Sequence, residues 1–288
     1  MRSCDRLAYT SVMLPTIVSV VIPCFNAART LAAAVESVLA QGDIGVEIIL
    51  VDDCSTDDTV GLARALSGRH ANVSMVGHAE NSGPGPARNT GLRRAKGEFI
   101  CFLDADDSYL QGFFTTALRR FREHARISAV YTNIELVDCP HEVHVLHIAG
   151  AINFMPSNKM LRRSTVELIG GFPEDAVFRT GMAGEDGVFF QLLGKYFQSF
   201  SEPTVYCRYY VGPSSHFSRF VRRTRVIDGK LEFVEFEEIE KSGALTATAL
   251  EFERRFLERC RALRNSAVFP ELADPGFQPG RIFPRHAS

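Results

Sequence analysis

Four apolar runs without polar alternation, separated by segments of helical spacing, constrain the fold of this chain most strongly. The runs cover residues 18–23, 47–51, 72–76 and 98–103. Strands without alternation are buried on both faces, as in a parallel sheet that lies between two layers of helices. Helices are predicted in the intervals, at residues 27–40, 60–66 and 86–95, and Ser55 or Asp57 is the predicted cap of the second. The first half is therefore predicted to be a doubly wound α/β fold.

The second half of the chain has a less regular pattern. Strands are predicted at residues 127–137 and 142–148, and helices at residues 163–169 and 186–197. From residue 218 to about 265 the sequence is charged and predicted to be mostly helical, and the tail after residue 269 is predicted to be irregular. We expect a domain at residues 1–216, with halves at 17–107 and 108–216, and an extension at 217–288.

Composition and charge exclude several classes of protein. The 288 residues carry a formal net charge of −2, which provides no overall attraction for nucleic acid. No apolar run reaches the roughly 20 residues of a membrane span. The run at 12–25 follows Arg2 and Arg6 as in a signal peptide, but Pro15 interrupts it, so we interpret it as the first buried strand. The seven cysteines form no C-x-x-C pair, which favours a reducing, cytoplasmic location.

Acidic residues follow two of the predicted strands. Asp52 and Asp53 end the second strand, and Asp104, Asp106 and Asp107 follow the fourth. Ligands of open α/β sheets bind outside the carboxyl ends of the strands. A single aspartate there often forms only a turn or a cap, but clustered carboxylates repel one another unless a cation neutralises them. The D-x-D at 104–106 therefore predicts a Mn²⁺ or Mg²⁺ site that is shared with substrate phosphates.

The familiar phosphate-binding loops are missing from the sequence. There is no G-x-x-x-x-G-K-[ST] loop, and no G-x-G-x-x-G follows the first strand. The nearest match, GPGPAR at 83–88, follows the third strand and has Arg88 where the third glycine should be. That glycine allows close helix packing in dinucleotide-binding folds, so a nicotinamide oxidoreductase is disfavoured. A bound diphosphate would instead be neutralised by metal and Arg88.

Four motifs in order suggest a family. They are VSVVIPCFN at 18–26, ILVDDCSTD at 49–57, ARNTG at 87–91 and FLDADD at 102–107. Together they closely resemble the nucleotide-binding half of family-2 glycosyltransferases, which have the GT-A fold. The resemblance continues more loosely through residues 162–174 to 185–186 and fades after about residue 216. It implies a metal-dependent enzyme that transfers a sugar from a nucleotide diphosphate to an acceptor hydroxyl.

The resemblance implies specific roles for residues of the first half. Those implied to bind the nucleotide sugar are Pro23, Phe25, Asp53, Arg88, Asp104 and Asp106. Phe25 would pack on the nucleobase, Asp53 would accept a hydrogen bond from a uracil-type base, and Arg88 would contact base or phosphate. Asp104 would face the ribose, while Asp106 would face the metal and the diphosphate.

The histidines of the second half are weaker candidates for metal ligands. Family members often carry a histidine near residues 208–215 that completes the metal shell, and this chain has none there. His216, which follows, takes this role by analogy, or water fills the position beside Asp104 and Asp106. A further group consists of His141, His144 and His147. On the predicted strand His144 points away from the other two, which disfavours a metal site.

An acidic pair in the second half suggests the catalytic residues. Sugar transfer needs a base that takes the proton of the acceptor hydroxyl. Glu185 and Asp186 open a helix with an apolar stripe, where acids also simply complement the helix dipole. The resemblance, in which an E-D pair lies here, implies that Asp186 is the general base and that Glu185 binds acceptor or orients the base. A single displacement would invert the anomeric centre.

Two other functions are compatible with part of this pattern. A non-catalytic nucleotide-sugar-binding module would keep Asp53 and Asp104 but needs no acid at 186. Sugar-phosphate nucleotidyltransferases share the α/β layout, but they carry a Gly-rich, Arg-containing loop near the N-terminus that residues 23–28 do not provide. The acidic pair and the missing loop favour the transferase.

The kind of transferase is narrowed by what the sequence lacks. Processive polysaccharide synthases of the family carry a Q-x-x-R-W motif and membrane spans, whereas this chain has no Trp. We therefore expect one hexosyl or hexosaminyl group to be added from a UDP-sugar to a glycan, lipid-linked or protein acceptor. No nucleic acid partner and no membrane span are expected. Peripheral membrane association and a homo-oligomer formed through the C-terminal helices are left open.

Overall fold

The computed structural model describes residues 17–42, 44–179, 184–213, 215–234 and 243–263. The start of the predicted first strand and the predicted irregular tail after residue 269 lie outside these residues.

A mixed sheet forms the centre of the fold. Its strands are β1 (Ile17–Cys24), β2 (Gly45–Asp52), β3 (Val73–Gly77), β4 (Phe99–Phe102), β5 (Ser108–Tyr109), β6 (Ala129–Val137), β7 (Lys159–Arg162) and β8 (Ser199–Tyr210). Their order across the sheet is β3-β2-β1-β4-β7-β6-β8-β5. β1 to β4 are parallel, as predicted. β7 runs antiparallel to both of its neighbours, and β8 is parallel to β6.

Helices cover both faces of this sheet. They are α1 (Leu31–Leu39), α2 (Thr59–Arg69), α3 (Pro84–Arg94), α4 (Phe113–Glu123), α5 (Val145–Phe154), α6 (Arg163–Ile169), α7 (Glu185–Tyr196), α8 (His216–Arg223) and α9 (Ala244–Leu263). Successive residues of β1 alternate between two cores, with Val20 and Ile22 in one and Val21 in the other. The absence of polar alternation thus has the predicted cause, because each face of the strand is buried.

Helix α3 approaches the sheet very closely. A Cβ atom added at Gly91 would lie 2.2 Å from Cγ1 of Val21 in β1. No side chain fits in that space, so glycine is required at this position of the helix. The close packing that dinucleotide-binding folds obtain from their third glycine is obtained here three residues later, and position 88 is free to carry a functional arginine.

Two predictions for the second half are wrong. Residues 142–148 were expected as a strand, but α5 begins at Val145, and Nδ1 of His144 accepts a hydrogen bond from the Leu146 amide at its start. Residues 224–233 were expected to be helical, but β9 (Thr224–Ile227) and β10 (Lys230–Phe233) form a hairpin. The turn contains Asp228 and Gly229 with φ of 49° and 71°. An Asp-Gly pair between apolar segments is a strong hairpin signal.

The long helix of the predicted extension packs on the second half of the preceding domain. Phe252 and Phe256 of α9 are buried in the core that also contains residues of α6 and α7. The ring centroids of Phe256 and Tyr196 are 5.1 Å apart. Within the described ranges, none of the helices combines the length and apolar character that a membrane span requires.

Candidate functional site

The carboxyl ends of the parallel strands bring the predicted donor-binding residues to one edge of the sheet. Phe25 directly follows β1 and is 51% exposed, an unusual environment for a large apolar ring. The next residue, Asn26, has a φ of 52°, and its side-chain oxygen accepts a 2.8 Å hydrogen bond from the amide of Thr56. Its own amide donates to Oγ of Ser55 at 3.0 Å. These bonds join the loops after β1 and β2 and hold Phe25 at the edge.

Asp53 occupies the expected edge, but its carboxylate already has several partners. Oδ2 accepts a 2.6 Å hydrogen bond from the amide of Gly83, and Oδ1 accepts one of 2.9 Å from the amide of Ser82. Nδ1 of His78 lies 2.8 Å from Oδ1, and the other ring nitrogen contacts Thr90. Asp53 therefore fixes the loop that leads into α3. Its predicted contact with the nucleobase stays a prediction.

The neighbouring Asp52 is an acid that the sequence interpretation did not assign. It is 4% exposed, and Oδ2 accepts a 3.2 Å hydrogen bond from the amide of Ser55. Oδ1 is buried and has no hydrogen-bond partner in the described part of the chain. An unpaired buried carboxylate oxygen is costly, which makes it a candidate acceptor for a ligand N–H group. The only sequence signal for it is its place beside Asp53.

Arg88 of α3 joins the two halves of the site. Its guanidinium is 4% exposed and lies over the ring of Phe172. Nη2 donates a 2.8 Å hydrogen bond to Oδ1 of Asp104 after β4, and Nη1 donates one of 2.7 Å to Oε1 of Glu185 at the start of α7. Because both acids hold Arg88 through charge-assisted hydrogen bonds, they are fixed relative to each other.

Three carboxylates lie together after β4. Asp106 reaches solvent, yet partial desolvation and the nearby Asp104 carboxylate raise the pKa of Asp106 to about 6. Asp107 is 1% exposed, and its burial and the charge of Asp104 raise the pKa of Asp107 well above its ordinary value. Oδ1 of Asp107 accepts a 3.2 Å hydrogen bond from the amide of Tyr210. The amide of Asp104 donates to Oγ of Ser157 at 3.1 Å.

These carboxylates fit a hard divalent cation. Magnesium-type sites often use one or two carboxylates and complete the coordination with substrate phosphates and water. Asp104 and Asp106 provide such a pair. The pKa of Asp106 is raised first by desolvation and second by the charge of Asp104, and a bound cation would oppose this shift. Among the described residues, no group of three or more His, Cys, Asp or Glu side chains is arranged to hold a metal ion by itself. Substrate oxygens would therefore have to supply part of the coordination.

Glu185 and Asp186, the predicted acids of the acceptor side, lie next to this cluster and differ in how deeply they are buried. Glu185 is 7% exposed, and burial together with the charge of Asp186 raises the pKa of Glu185 to about 7 although Arg88 opposes the shift. Asp186 is less buried and lines a cavity of about 800 Å³, together with His216. Of the two acids, Asp186 is therefore the one that faces open space.

His216 begins α8 and belongs to the same electrostatic environment. Desolvation and the neighbouring Arg219 lower the pKa of His216, while Asp186 and Asp104 act in the opposite direction. A neutral imidazole is the form that coordinates metal. The predicted role of His216 as a third metal ligand stays a prediction.

The other histidine group has structural contacts. Nδ1 of His147 accepts a 3.2 Å hydrogen bond from the amide of His144, and Nε2 lies 3.1 Å from Oγ1 of Thr224. His144 in turn caps α5 through Nδ1. These imidazoles therefore hold α5 and its junction with β9.

Lys159 is a buried amine that sequence reasoning missed. Its side chain is 0% exposed, and Nζ donates to the carbonyls of Ile152 and Met155 at the end of α5. Nζ also lies 4.4 Å from the centroid of the Phe190 ring on α7. Burial lowers the pKa of Lys159 well below its ordinary value. Lys159 thus holds α5, β7 and α7 together beside the acidic site, and its place at the start of an apolar strand gave no sign of this.

Comparison with known proteins identifies the family. Residues 19–179, more than half of the chain, match the family described as "Glycosyl transferase family 2". The chain belongs to glycosyltransferase family 2. The predicted family, enzyme class and GT-A fold are therefore confirmed.

Two similar proteins are named for the biosynthesis of succinoglycan and of minor teichoic acid. The chain is 36% identical over 121 residues to the succinoglycan biosynthesis protein ExoO of Rhizobium meliloti. The matched region covers 42% of this chain and 33% of ExoO. It is 31% identical over 195 residues to the minor teichoic acid biosynthesis protein GgaA of Bacillus subtilis. This match covers 61% of this chain and 42% of GgaA. The chain thus spans less than half the length of these two relatives.

Solved structures have the same fold. TarS of S. aureus, in complex with UDP-GlcNAc, superposes with a TM-score of 0.59 at 22% identity, covering 88% of this chain and 75% of that one. The mannosyltransferase PcManGT of Pyrobaculum calidifontis, in complex with GDP-Man and Mn²⁺, gives 0.54 at 20% identity, covering 89% and 77%. At this identity the likeness establishes the shared GT-A architecture.

Proposed function

We propose that this family-2 glycosyltransferase transfers a single sugar from a UDP-sugar to an acceptor hydroxyl, with a divalent metal and with inversion of the anomeric centre. The observation that carries the proposal is the buried Arg88 fork between Asp104 and Glu185. It joins the D-x-D acids of the donor half to the E-D pair of the acceptor half. A module that only bound nucleotide sugar would not require the second acid.

The donor would lie across the carboxyl ends of β1, β2 and β4. Phe25 would stack on the base, Pro23 would line its pocket, and Asp53 or the adjacent Asp52 would accept a hydrogen bond from it. TarS binds UDP-GlcNAc and PcManGT binds GDP-Man with Mn²⁺, so related folds accept either nucleotide. The proposal takes the base to be uracil, whose N3–H group can donate a hydrogen bond to either carboxylate.

Asp104 and Asp106 would hold Mn²⁺ or Mg²⁺ through carboxylate oxygens, with Asp104 also facing the ribose. When bound, the metal neutralises charge on the departing diphosphate. Arg88 lies behind Asp104 and keeps it oriented. His216 or water would complete the ligand set.

Sugar-phosphate nucleotidyl transfer is disfavoured as the activity, because the Gly-rich loop of those enzymes is missing from this sequence.

Asp186 would act as the general base. The acceptor oxygen attacks the anomeric carbon as its proton moves to the Asp186 carboxylate, and the bond from that carbon to the phosphate oxygen breaks. The nucleoside diphosphate leaves with the bonding electrons. A carboxylate near the sugar also stabilises an oxocarbenium-like transition state. Glu185, held by Arg88, would position the turn that presents Asp186.

The test is metal-dependent donor hydrolysis and transfer by the full chain. A panel of UDP- and GDP-sugars is incubated with Mn²⁺, Mg²⁺ or EDTA, and release of nucleoside diphosphate is measured. We expect release from a UDP-sugar with metal only. Nucleotide binding without any release would support the binding module, and release of pyrophosphate from a nucleoside triphosphate and a sugar phosphate would support the nucleotidyltransferase.

The acceptor would be a glycan, a lipid-linked sugar or a protein, and catalysis in the cytoplasm is part of this proposal. We also propose that residues 1–216 form the catalytic domain and that 217–288 extend it. Peripheral membrane association and assembly through α9 would be secondary features of the same protein.

A further inference from the structure

We infer that the cavity beside Asp186 accepts the hydrocarbon part of an amphiphilic acceptor, a sugar that carries an alkyl or isoprenoid chain. This inference rests on the proposed function, because it takes Asp186 to be the residue that faces the acceptor hydroxyl. It names the chemical class of the acceptor, which the catalytic residues themselves leave open.

The cavity extends along α7. Val188, Gln191 and Lys195 lie on one side of this helix and line the cavity, Asp186 lines it at the start of the helix, and its volume is about 800 Å³. With a rise of about 1.5 Å per residue, the nine steps from Asp186 to Lys195 correspond to roughly 13 Å. The cavity is therefore much longer than the space that one sugar hydroxyl needs at the base.

The walls away from Asp186 are largely apolar. α5, β8, α8, β10 and α9 contribute to them, and the phenylalanine and tyrosine residues that line the cavity are Phe154, Phe178, Tyr209, Phe217, Phe220 and Phe233. Phe154 is 47% exposed, Phe233 is 41% exposed and Leu250 is 61% exposed. Large apolar side chains that remain exposed around one cavity mark a surface that binds an apolar partner.

The charged groups of the cavity are arranged unevenly. Asp186 and His216 lie at the end next to the D-x-D acids. Lys195 and Glu253 line the other end, but they neutralise each other through a 2.6 Å ion pair between Nζ and Oε1. Tyr196 donates a further hydrogen bond to the same carboxylate oxygen. The remaining walls carry five phenylalanines and only three polar side chains, Gln191, Tyr209 and Thr246, so they offer few partners to the hydroxyl groups of a long glycan.

A long polar glycan would exchange most of its hydrogen bonds to water for apolar contacts in this cavity, which is unfavourable. A hydrocarbon chain gains free energy there for each methylene that leaves water. With its sugar at Asp186, the chain of an amphiphile would follow α7 towards Lys195. The geometry points to an acceptor whose head is chemically polar and whose tail is apolar.

The experiment compares two probes that share a head group. Octyl β-glucoside, kept below its micelle concentration, and methyl β-glucoside are titrated calorimetrically into the full chain with UDP and Mn²⁺ present. We expect the octyl compound to bind at least about 100-fold more tightly, since seven further methylenes are removed from water. Phe154→Asn and Leu250→Asn should each weaken the octyl compound about three- to tenfold, because one apolar wall contact is replaced by a polar group.

Val145→Asn provides the matched control. Val145 is 66% exposed on the same helix as Phe154 but does not line the cavity. We expect this variant to bind octyl β-glucoside like the parent. Equal loss in Val145→Asn and Phe154→Asn would mean that the alkyl chain binds non-specifically, which overturns the inference.

Two other outcomes also overturn it. Equal affinity for the octyl and methyl compounds would mean that the cavity does not take hydrocarbon, or that another part of the chain or a second copy covers it. Displacement of UDP by the octyl compound would place the chain in the donor site. If the parent still releases UDP from a UDP-sugar in the presence of metal, the proposed transferase function survives and only the acceptor class is wrong. If no nucleotide binds at all, the proposed function itself fails.

Discussion

Nη1 of Arg88 donates a 2.7 Å hydrogen bond to Oε1 of Glu185, across 97 residues of sequence. The contact is buried on both sides, with Arg88 at 4% and Glu185 at 7% exposure. Since Arg88 also binds Asp104, one guanidinium sets the distance between the donor and acceptor halves. Backbone packing supports this geometry, because a Cβ atom at Gly85 would lie 2.7 Å from Cγ of Glu185.

Replacement of Arg88 should therefore destabilise the fold. Arg88→Met removes the partner of Asp104 and leaves Glu185 buried without its partner. We expect the free energy of unfolding to fall by about 3 kcal/mol. This is at the lower end for a broken buried ion pair, because Glu185 can take up a proton. Chemical denaturation measures the change. Arg93→Met on the same helix is the control, since Arg93 is 64% exposed and should change stability by less than about 0.5 kcal/mol. A full 3 kcal/mol loss that Glu185→Gln does not partly relieve in the double variant would contradict the coupling.

Asp186→Asn should separate binding from catalysis. The amide keeps the shape of the side chain and removes its basicity, so UDP-sugar affinity should persist while transfer falls by roughly 10²–10⁴-fold. Paired calorimetry and transfer rates measure both quantities. Glu185→Gln serves as the neighbouring control. A nearly parental rate for Asp186→Asn beside an inactive Glu185→Gln would assign the base one residue earlier.

Removal of metal should weaken donor binding through Asp106. Treatment with EDTA is expected to lower the affinity for UDP, and Mn²⁺ or Mg²⁺ should restore it, because the phosphates would otherwise face unneutralised carboxylates. Asp106→Ala should remain folded and lose this metal dependence. Glu80→Ala, an exposed acid in the loop after β3, should retain it. Equal UDP affinity with and without metal in the parent would refute metal-assisted binding.

Base recognition should depend on the acids at the end of β2. If either acid contacts uracil, its Asn variant should lower the affinity for UDP by about one to two decades, because a hydrogen bond worth about 1.5–3 kcal/mol is lost. The affinity for inorganic pyrophosphate should not change. Asp53→Asn should also destabilise the loop before α3, because three groups contact its carboxylate. We expect Asp52→Asn to lose UDP affinity with the smaller loss of stability. Parental UDP binding in both variants would mean that neither acid recognises the base.

Stability should depend on pH through Glu185. Burial and Asp186 raise the pKa of Glu185 from 4.5 to about 7 in the folded protein. Between these values the folded state binds more protons than the unfolded state, so the metal-free protein should lose stability as pH rises from about 4.5 to 7. The raised pKa of Asp106 acts in the same direction. Denaturation midpoints at pH 5 and pH 8 should differ less in Glu185→Gln than in the parent. The same difference between the two midpoints in variant and parent would argue against a raised pKa of Glu185.

The sequence alone determined the first half of the fold and the position of its acids. Apolar runs without polar alternation predict β1 to β4, because a strand that is buried on both faces needs apolar side chains at successive positions. Parallel strands then bring their carboxyl ends to one edge, so Asp53, Asp104 and Asp106 could be placed there without coordinates. The start of α7 at Glu185 could be predicted for the same local reason, from an apolar stripe that follows an acidic pair.

Only the tertiary structure decided how the second half completes the site. The short apolar run before residue 148 is compatible with helix or strand, and its packing as a wall beside α7 selected the helix. The Arg88–Glu185 bond, the buried amine of Lys159 and the cavity beside Asp186 join residues that are distant in sequence. Such contacts depend on the relative positions of whole elements, and local residue patterns carry no information about those positions.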